Sequence, residues 1–299
     1  MKRKLIKQAG QALTITLPID WIRKNGLKAG NEIDLEISEK NLILSSNKKT
    51  VGGSVKINAF NFPPRLKYIY TNAMYAKGID QIEIEAEKNY YPDLSQNIGY
   101  AVVSQKGNNF TIRDVGGISS ENLDEIFKRV FQMIIEFYDS AIENIFSSTK
   151  ESYEKITRMD SEINKFVLFL QRSIMKQSYP DLSAAKILFA YSFSLEKIGD
   201  EILRIWRTSI QKKVVKNTKV KEIVLLSRKA LEKSFEIYYQ SNIDKINEII
   251  NIREDIRKKS SGLFNISPET TEFLMHAIKI AEDSFDLTHL ALIRRLKTE

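Results

Sequence analysis

The hydrophobic pattern changes character twice along the chain. In the first fifty residues apolar and polar positions alternate. Leu13, Ile15 and Leu17 alternate with Thr14 and Thr16, Ile33, Leu35 and Ile37 with Asp34 and Glu36, and Leu42 and Leu44 supply a third apolar pair. A period of two is that of half-buried strands. Pro18 suits the first position of a short helix, Gly26 suits its left-handed close, and Lys28-Ala29-Gly30-Asn31 predicts a turn. One copy of this unit has too little apolar surface to be stable alone.

A polar, glycine-bearing stretch, residues 47–54, then predicts a linker. After Pro63-Pro64 a short helix is expected through Arg65, Leu66, Ile69, Ala73 and Met74. Ile82 and Ile84 predict a strand, and the segments 100–104 and 110–115 flank Lys106-Gly107-Asn108-Asn109 as a hairpin. Residues 55–118 read as a small α/β connecting unit.

From Ser119 onward the period is helical. Leu123, Phe127, Val130, Ile134, Phe137, Ala141 and Ile145 form one stripe; Ile156, Met159, Ile163, Phe166, Leu170 and Ile174 form the next; Leu188, Leu195, Ile198, Ile202 and Ile205 form a third. After the basic break at 211–219, three more helices are expected at roughly 220–240, 242–262 and 267–297, with Ser267 and Pro268 as cap and first position. Leu195-Glu196-Lys197-Ile198-Gly199-Asp200 is echoed by Ala277-Ile278-Lys279-Ile280-Ala281-Glu282, so three helices followed by three suggest a duplication.

Charge sharpens this division. The 299-residue chain carries +8, and residues 1–50 hold ten Lys or Arg against five acids, +5 of that total. A basic head on a nearly neutral body favours anionic partners. There is no Cys, which excludes disulfides, thiolate nucleophiles and Cys-ligated zinc and fits the cytoplasm. No targeting segment and no apolar run long enough to span a bilayer is expected.

Two resemblances follow from particular residues. Arg3-Lys4-Leu5-Ile6-Lys7-Gln8-Ala9-Gly10, Leu13-Thr14-Ile15-Thr16-Leu17-Pro18, Asp20-Trp21 and Gly26-Leu27-Lys28-Ala29-Gly30-Asn31-Glu32-Ile33 resemble the AbrB/SpoVT swapped-hairpin family, above all its archaeal version. That resemblance implies that residues 1–46 form an obligate dimer whose basic hairpins contact DNA. Lys2, Arg3, Lys4 and Lys7 would supply the contacts twice over, and Arg23 and Lys24 would widen the patch. Residues 119–299 resemble the phosphate-uptake regulator family PhoU through Met159-Asp160-Ser161-Glu162-Ile163-Asn164, Glu196-Lys197-Ile198-Gly199-Asp200 and Ile280-Ala281-Glu282 with Asp286. The expected fold is therefore α+β and multidomain: a swapped-hairpin β head, the α/β unit and an all-α, PhoU-like pair of three-helix bundles.

The PhoU resemblance implies a divalent metal or iron on acidic helix faces, here Asp160, Glu196 and Asp200. The signature is eroded. Asn164 replaces an acid, and in the second repeat Ile278, Arg253 and Arg257 stand where ligands would. An ordinary helix-surface ladder, Glu196, Asp200 and Arg204 at i,i+4 spacing, accounts for the same residues. His276 and His289, thirteen apart, lack ligand spacing.

No phosphate-binding glycine loop, nucleophile elbow or His–carboxylate signature is present, so no enzymatic activity is expected. Two functions are weighed. The first is a cytoplasmic, DNA-binding transcriptional regulator of phosphate uptake, with a body that senses phosphate status or docks a phosphate transporter or signalling protein. The second is an adaptor that controls a phosphate transporter by protein contact, its head serving only to dimerise.

Overall fold

The computed structural model describes residues 2–8, 10, 12–38, 41–46, 53–116, 123–147, 153–176 and 182–296. The chain divides into two compact units, Met1–Val51 and Gly52–Glu299.

The first unit holds two antiparallel hairpins, β1 (Ile6–Lys7) with β2 (Leu13–Thr14) and β3 (Ile33–Ser38) with β4 (Asn41–Ser46). A six-residue helix, α1 (Ile19–Lys24), follows Pro18, which takes the cap position rather than the first turn. Gly26 and Gly30 adopt φ of 61° and 88°, the left-handed backbone that a side chain disfavours, so the helix closes and the turn forms where the sequence places glycine. The strand expected over residues 13–17 is paired only at Leu13 and Thr14, because β1 opposite it spans two residues. No residue of this unit whose side chain is described is buried.

The second unit begins with a sheet. Strand β5 (Ser54–Asn58) crosses through α2 (Pro64–Ala76) to β6 (Gln81–Glu85), and the hairpin of β7 (Tyr100–Lys106) and β8 (Asn109–Asp114) completes the order β5-β6-β8-β7. The β5–β6 pair is parallel and the others antiparallel. Strand β5 takes up the end of the expected linker, whose residues 47–52 lie outside the described residues. Ile82, Ile84, Phe110 and Ile112 turn inward, while Glu83 and Thr111 alternate outward, as a one-sided sheet requires.

Six helices follow: α3 (Leu123–Phe146), α4 (Tyr153–Lys176), α5 (Leu182–Gln211), α6 (Thr218–Tyr239), α7 (Ile243–Ser261) and α8 (Pro268–Arg295). Three are capped by the side chains that sequence rules favour, Asn217, Asn242 and Ser267, each accepting from the backbone N–H three residues on. The apolar stripes meet in one core shared by all six helices, with α5 and α8 packed along each other at its centre. Two large buried polar side chains are satisfied inside it. Tyr191 Oη donates to Leu287 O at 2.6 Å, and Trp206 Nε1 donates to Asn144 Oδ1 at 2.8 Å. Helix α4 also faces the sheet. Leu168 joins the sheet's own core, and fully buried Arg172 anchors the strand ends, so the α/β segment belongs to the same compact unit as the helices.

Candidate functional site

The expected nucleic-acid contacts all reach solvent. Lys2, Arg3 and Lys4 lead into β1, Lys7 ends it, and all four are exposed. Arg23 and Lys24 form the last turn of α1 and are exposed as well. Six exposed cations on a small unit make a surface that favours anionic partners. Beside them the unit exposes its apolar side chains, with Leu13, Ile15, Leu35, Ile37 and Leu42 all largely accessible.

In the helical region Asp160 of α4 lies near Glu196 and Asp200 of α5. Burial, reinforced by the charges of Asp200 and Glu196, pushes the Asp160 carboxyl up to about 6, although Arg207 opposes the shift. Burial and Asp200 likewise raise Glu196. Asn164 Nδ2 donates to Asp160 Oδ2 at 3.4 Å, a long bond, while Asp160 Oδ1 and Asn164 Oδ1 are buried without a hydrogen-bond partner. Asp200 accepts from Arg204 at 3.0 Å. Asp160 thus lies near both acids of α5, and among the described residues no three His, Asp or Glu side chains are disposed to hold an ion. Asp200 is instead paired along its own helix, as the i,i+4 ladder requires.

The echo of this cluster in the second half is a different object. Arg253 and Arg257 of α7 donate from Nε to the two oxygens of Glu282 on α8, at 2.6 and 2.8 Å. Arg253 also lies 4.4 Å from the centre of the Phe285 ring. Cations thus occupy the α7 positions that echo Asp160 and Asn164, and Glu282 satisfies them. Asp286 is exposed. His276 Nδ1 is 2.7 Å from Glu201, and His289 is exposed beside Phe285, so neither joins a shared site.

Comparison with known proteins bears on the head alone. Residues 6–51 match the MazE antitoxin family, described as antidote–toxin recognition, a bacterial antitoxin. MazE and AbrB heads are swapped-hairpin units. The match ends at Val51, where the compact head itself ends. It does not extend to the PhoU resemblance of residues 119–299. No curated protein and no solved structure matches the chain. No helix among the described residues is long and apolar enough to cross a membrane.

Sequence reasoning did not find the set Asp80, Asp114, Arg172 and Lys176, gathered round the buried Arg172 guanidinium. A signal existed. Leu168, Arg172 and Lys176 fall four apart, a second stripe on α4 beside the apolar one.

Proposed function

We propose that the chain is a cytoplasmic, non-enzymatic regulator that binds DNA as a homodimer through its MazE-like head. In this reading residues 52–299 receive the signal, and the regulated process is phosphate uptake. The observation that carries the dimer is that no head residue with a described side chain is buried, together with its exposed Leu and Ile side chains. Such a unit has no core until a second copy supplies one. The unpaired extended run after Thr14, containing Ile15 and Leu17, is where an exchanged hairpin would pair. Dimerisation doubles the exposed cations, which suits a two-fold contact with duplex phosphates.

The phosphate assignment rests on the PhoU-like signatures around Asp160, Glu196, Asp200 and Glu282. In this reading the partner is a phosphate-transport or phosphate-signalling protein docking near Glu196, Asp200 and Asp286. Any partner that weakens DNA binding must itself be bound less tightly in the presence of DNA.

The test is duplex binding by the full chain across a salt series. With four to eight phosphate contacts, log K should fall against log salt with a slope on the order of −4 to −7. Changing Lys2, Arg3, Lys4 and Lys7 to Ala should weaken binding to every duplex and flatten that slope. A head that serves only to dimerise would show no salt-dependent duplex binding, and the adaptor reading would replace this one.

A further inference from the structure

One end of the six-helix bundle is basic and apolar at once. The end of α3, the start of α4, the α5–α6 connection, the end of α7 and the start of α8 converge there. Tyr153 packs on Trp206 with ring centres 5.4 Å apart, and Lys221 Nζ lies 5.7 Å from the centre of the Phe146 ring. Val215 N donates to Thr270 Oγ1 at 3.0 Å, and Lys259 Nζ reaches Glu222 at 2.8 Å. Asn217 caps α6 immediately after the connection, so this end is built rather than trailing.

Residues 211–221 carry five lysines, Lys212, Lys213, Lys216, Lys219 and Lys221, and no acid. All five are exposed, and exposed Lys258 and Lys259 end α7 beside them. The neighbouring acids include Glu154, Glu222, Asp255, Glu269 and Glu272. Glu272 pairs with Lys212, and Glu222 and Asp255 both pair with Lys259. Positive charge remains in excess. Among these cations stand exposed apolar side chains: Ile210, Val215, Ile266 and Tyr153 are 42%, 39%, 39% and 51% accessible. An open cleft of about 670 Å³ runs between the end of α5 and the start of α8, with Lys212, Lys213, Glu269 and Glu272 in its wall.

Two polyanions suit such charge, and the side chains choose between them. Nucleic-acid surfaces favour arginine, whose planar fork grips phosphate in two places. The cations here are lysines, whose long stems lie along apolar material while the ammonium stays at the polar boundary. Exposed Ile, Val and Tyr tips gain nothing against phosphate oxygens, whereas at a bilayer interface they leave water for the acyl boundary. We infer that this end of the bundle docks peripherally on an anionic lipid surface. The lysines meet headgroup phosphates, and Ile210, Val215, Ile266 and Tyr153 enter the interface.

The test is co-sedimentation of the full chain with phosphatidylcholine vesicles and with phosphatidylserine-rich vesicles, at an ionic strength of about 0.1 M. Because the head is also basic, the chain with Lys2, Arg3, Lys4 and Lys7 changed to Ala is run beside the parent. The expected result is binding to the serine lipid alone, retained by that head variant. Lys213→Gln/Lys219→Gln/Lys221→Gln should bind about a hundredfold more weakly. Val215→Ser/Ile266→Ser, at exposed positions that leave the core intact, should also weaken binding while its salt dependence stays unchanged. The inference is overturned if the parent ignores anionic vesicles or if both bundle variants bind them as the parent does. Loss of duplex binding by the triple lysine variant, with vesicle binding intact, would assign the surface to nucleic acid instead.

Discussion

Arg172, deep in α4, donates from Nη2 to the Asp114 carboxylate at the end of β8 at 2.7 Å. The same nitrogen reaches Asp80 at 2.9 Å, and Nη1 donates to the backbone oxygens of Tyr75 and Ile79 at 2.9 and 2.8 Å. The guanidinium lies between the Tyr75 and Tyr100 rings, 4.9 and 5.0 Å from their centres, and the side chain is 1% exposed. Lys176, one turn further along α4, meets the same two carboxylates. Burial pushes the Tyr100 hydroxyl up to about 12, so it remains a hydrogen-bond donor throughout the physiological range. This network holds the sheet to the helices.

Removing the arginine should therefore leave buried acid without its main counter-charge. Arg172→Met is expected to cost about 3–5 kcal/mol in urea unfolding, while Arg172→Met/Asp114→Asn should recover part of that loss. A loss within the range of an exposed ion pair, below about 1 kcal/mol, would deny the network this role.

The same network fixes a pH dependence. Burial raises the Asp114 carboxyl, but hydrogen bonds and charge from Arg172 and Lys176 outweigh it and hold the group below its ordinary value. A depressed carboxylate stabilises the fold above its unfolded pKa, and that stability is lost as pH falls through the folded value. Thermal unfolding should thus drop below about pH 4 in the parent and drop less in Arg172→Met/Asp114→Asn.

Asp160 has the opposite sign. Its carboxyl, raised to about 6, favours the fold below the unfolded carboxylate pKa, and the benefit is lost as pH rises through the folded value. Asp160→Asn should stabilise the protein at neutral pH, by about 1–2 kcal/mol once solvent screening is allowed for. The gain should shrink as pH falls below about 4, where the parent carboxyl is protonated in both states. Equal effects at both pH values would show that charge at Asp160 is not the cause.

In the head, Ile37 is 81% exposed within a single copy and Leu35 60%. If a second copy covers them, Ile37→Asp should weaken dimerisation by about 2–3 kcal/mol per copy. Sedimentation of the full chain would register this as a shift toward monomer at micromolar concentration. An unchanged dimer would place the interface elsewhere.

Much of the secondary structure was legible because it depends on neighbours in sequence. The α3–α5 stripes, the cap at Ser267, and the glycine turns at Gly26 and Gly30 follow from local period and backbone preference. Strand β5 was harder to see. It is five residues long and lies beside a polar, glycine-bearing stretch, so its strand character depends on parallel pairing with β6. The meeting of Asp160 with Glu196 and Asp200 was legible only as helix faces. Whether those oxygens held a metal or a proton depended on distances between helices that no spacing encodes.

The sequence by itself determined the basic, alternating head, the helical body and the basic character of Arg253 and Arg257, because charge and hydrophobic period are properties of the string. Tertiary structure alone decided that the sheet and the six helices are one unit. It also decided that Arg253 and Arg257 close on Glu282, and that lysines and apolar tips from separate loops share one end of the bundle. The physical reason is that these are pairings between distant residues. Arg172 reads in the sequence as one more polar position on an amphipathic helix. Its partner Asp114 lies 58 residues earlier in the chain, and only folding closes that separation to 2.7 Å.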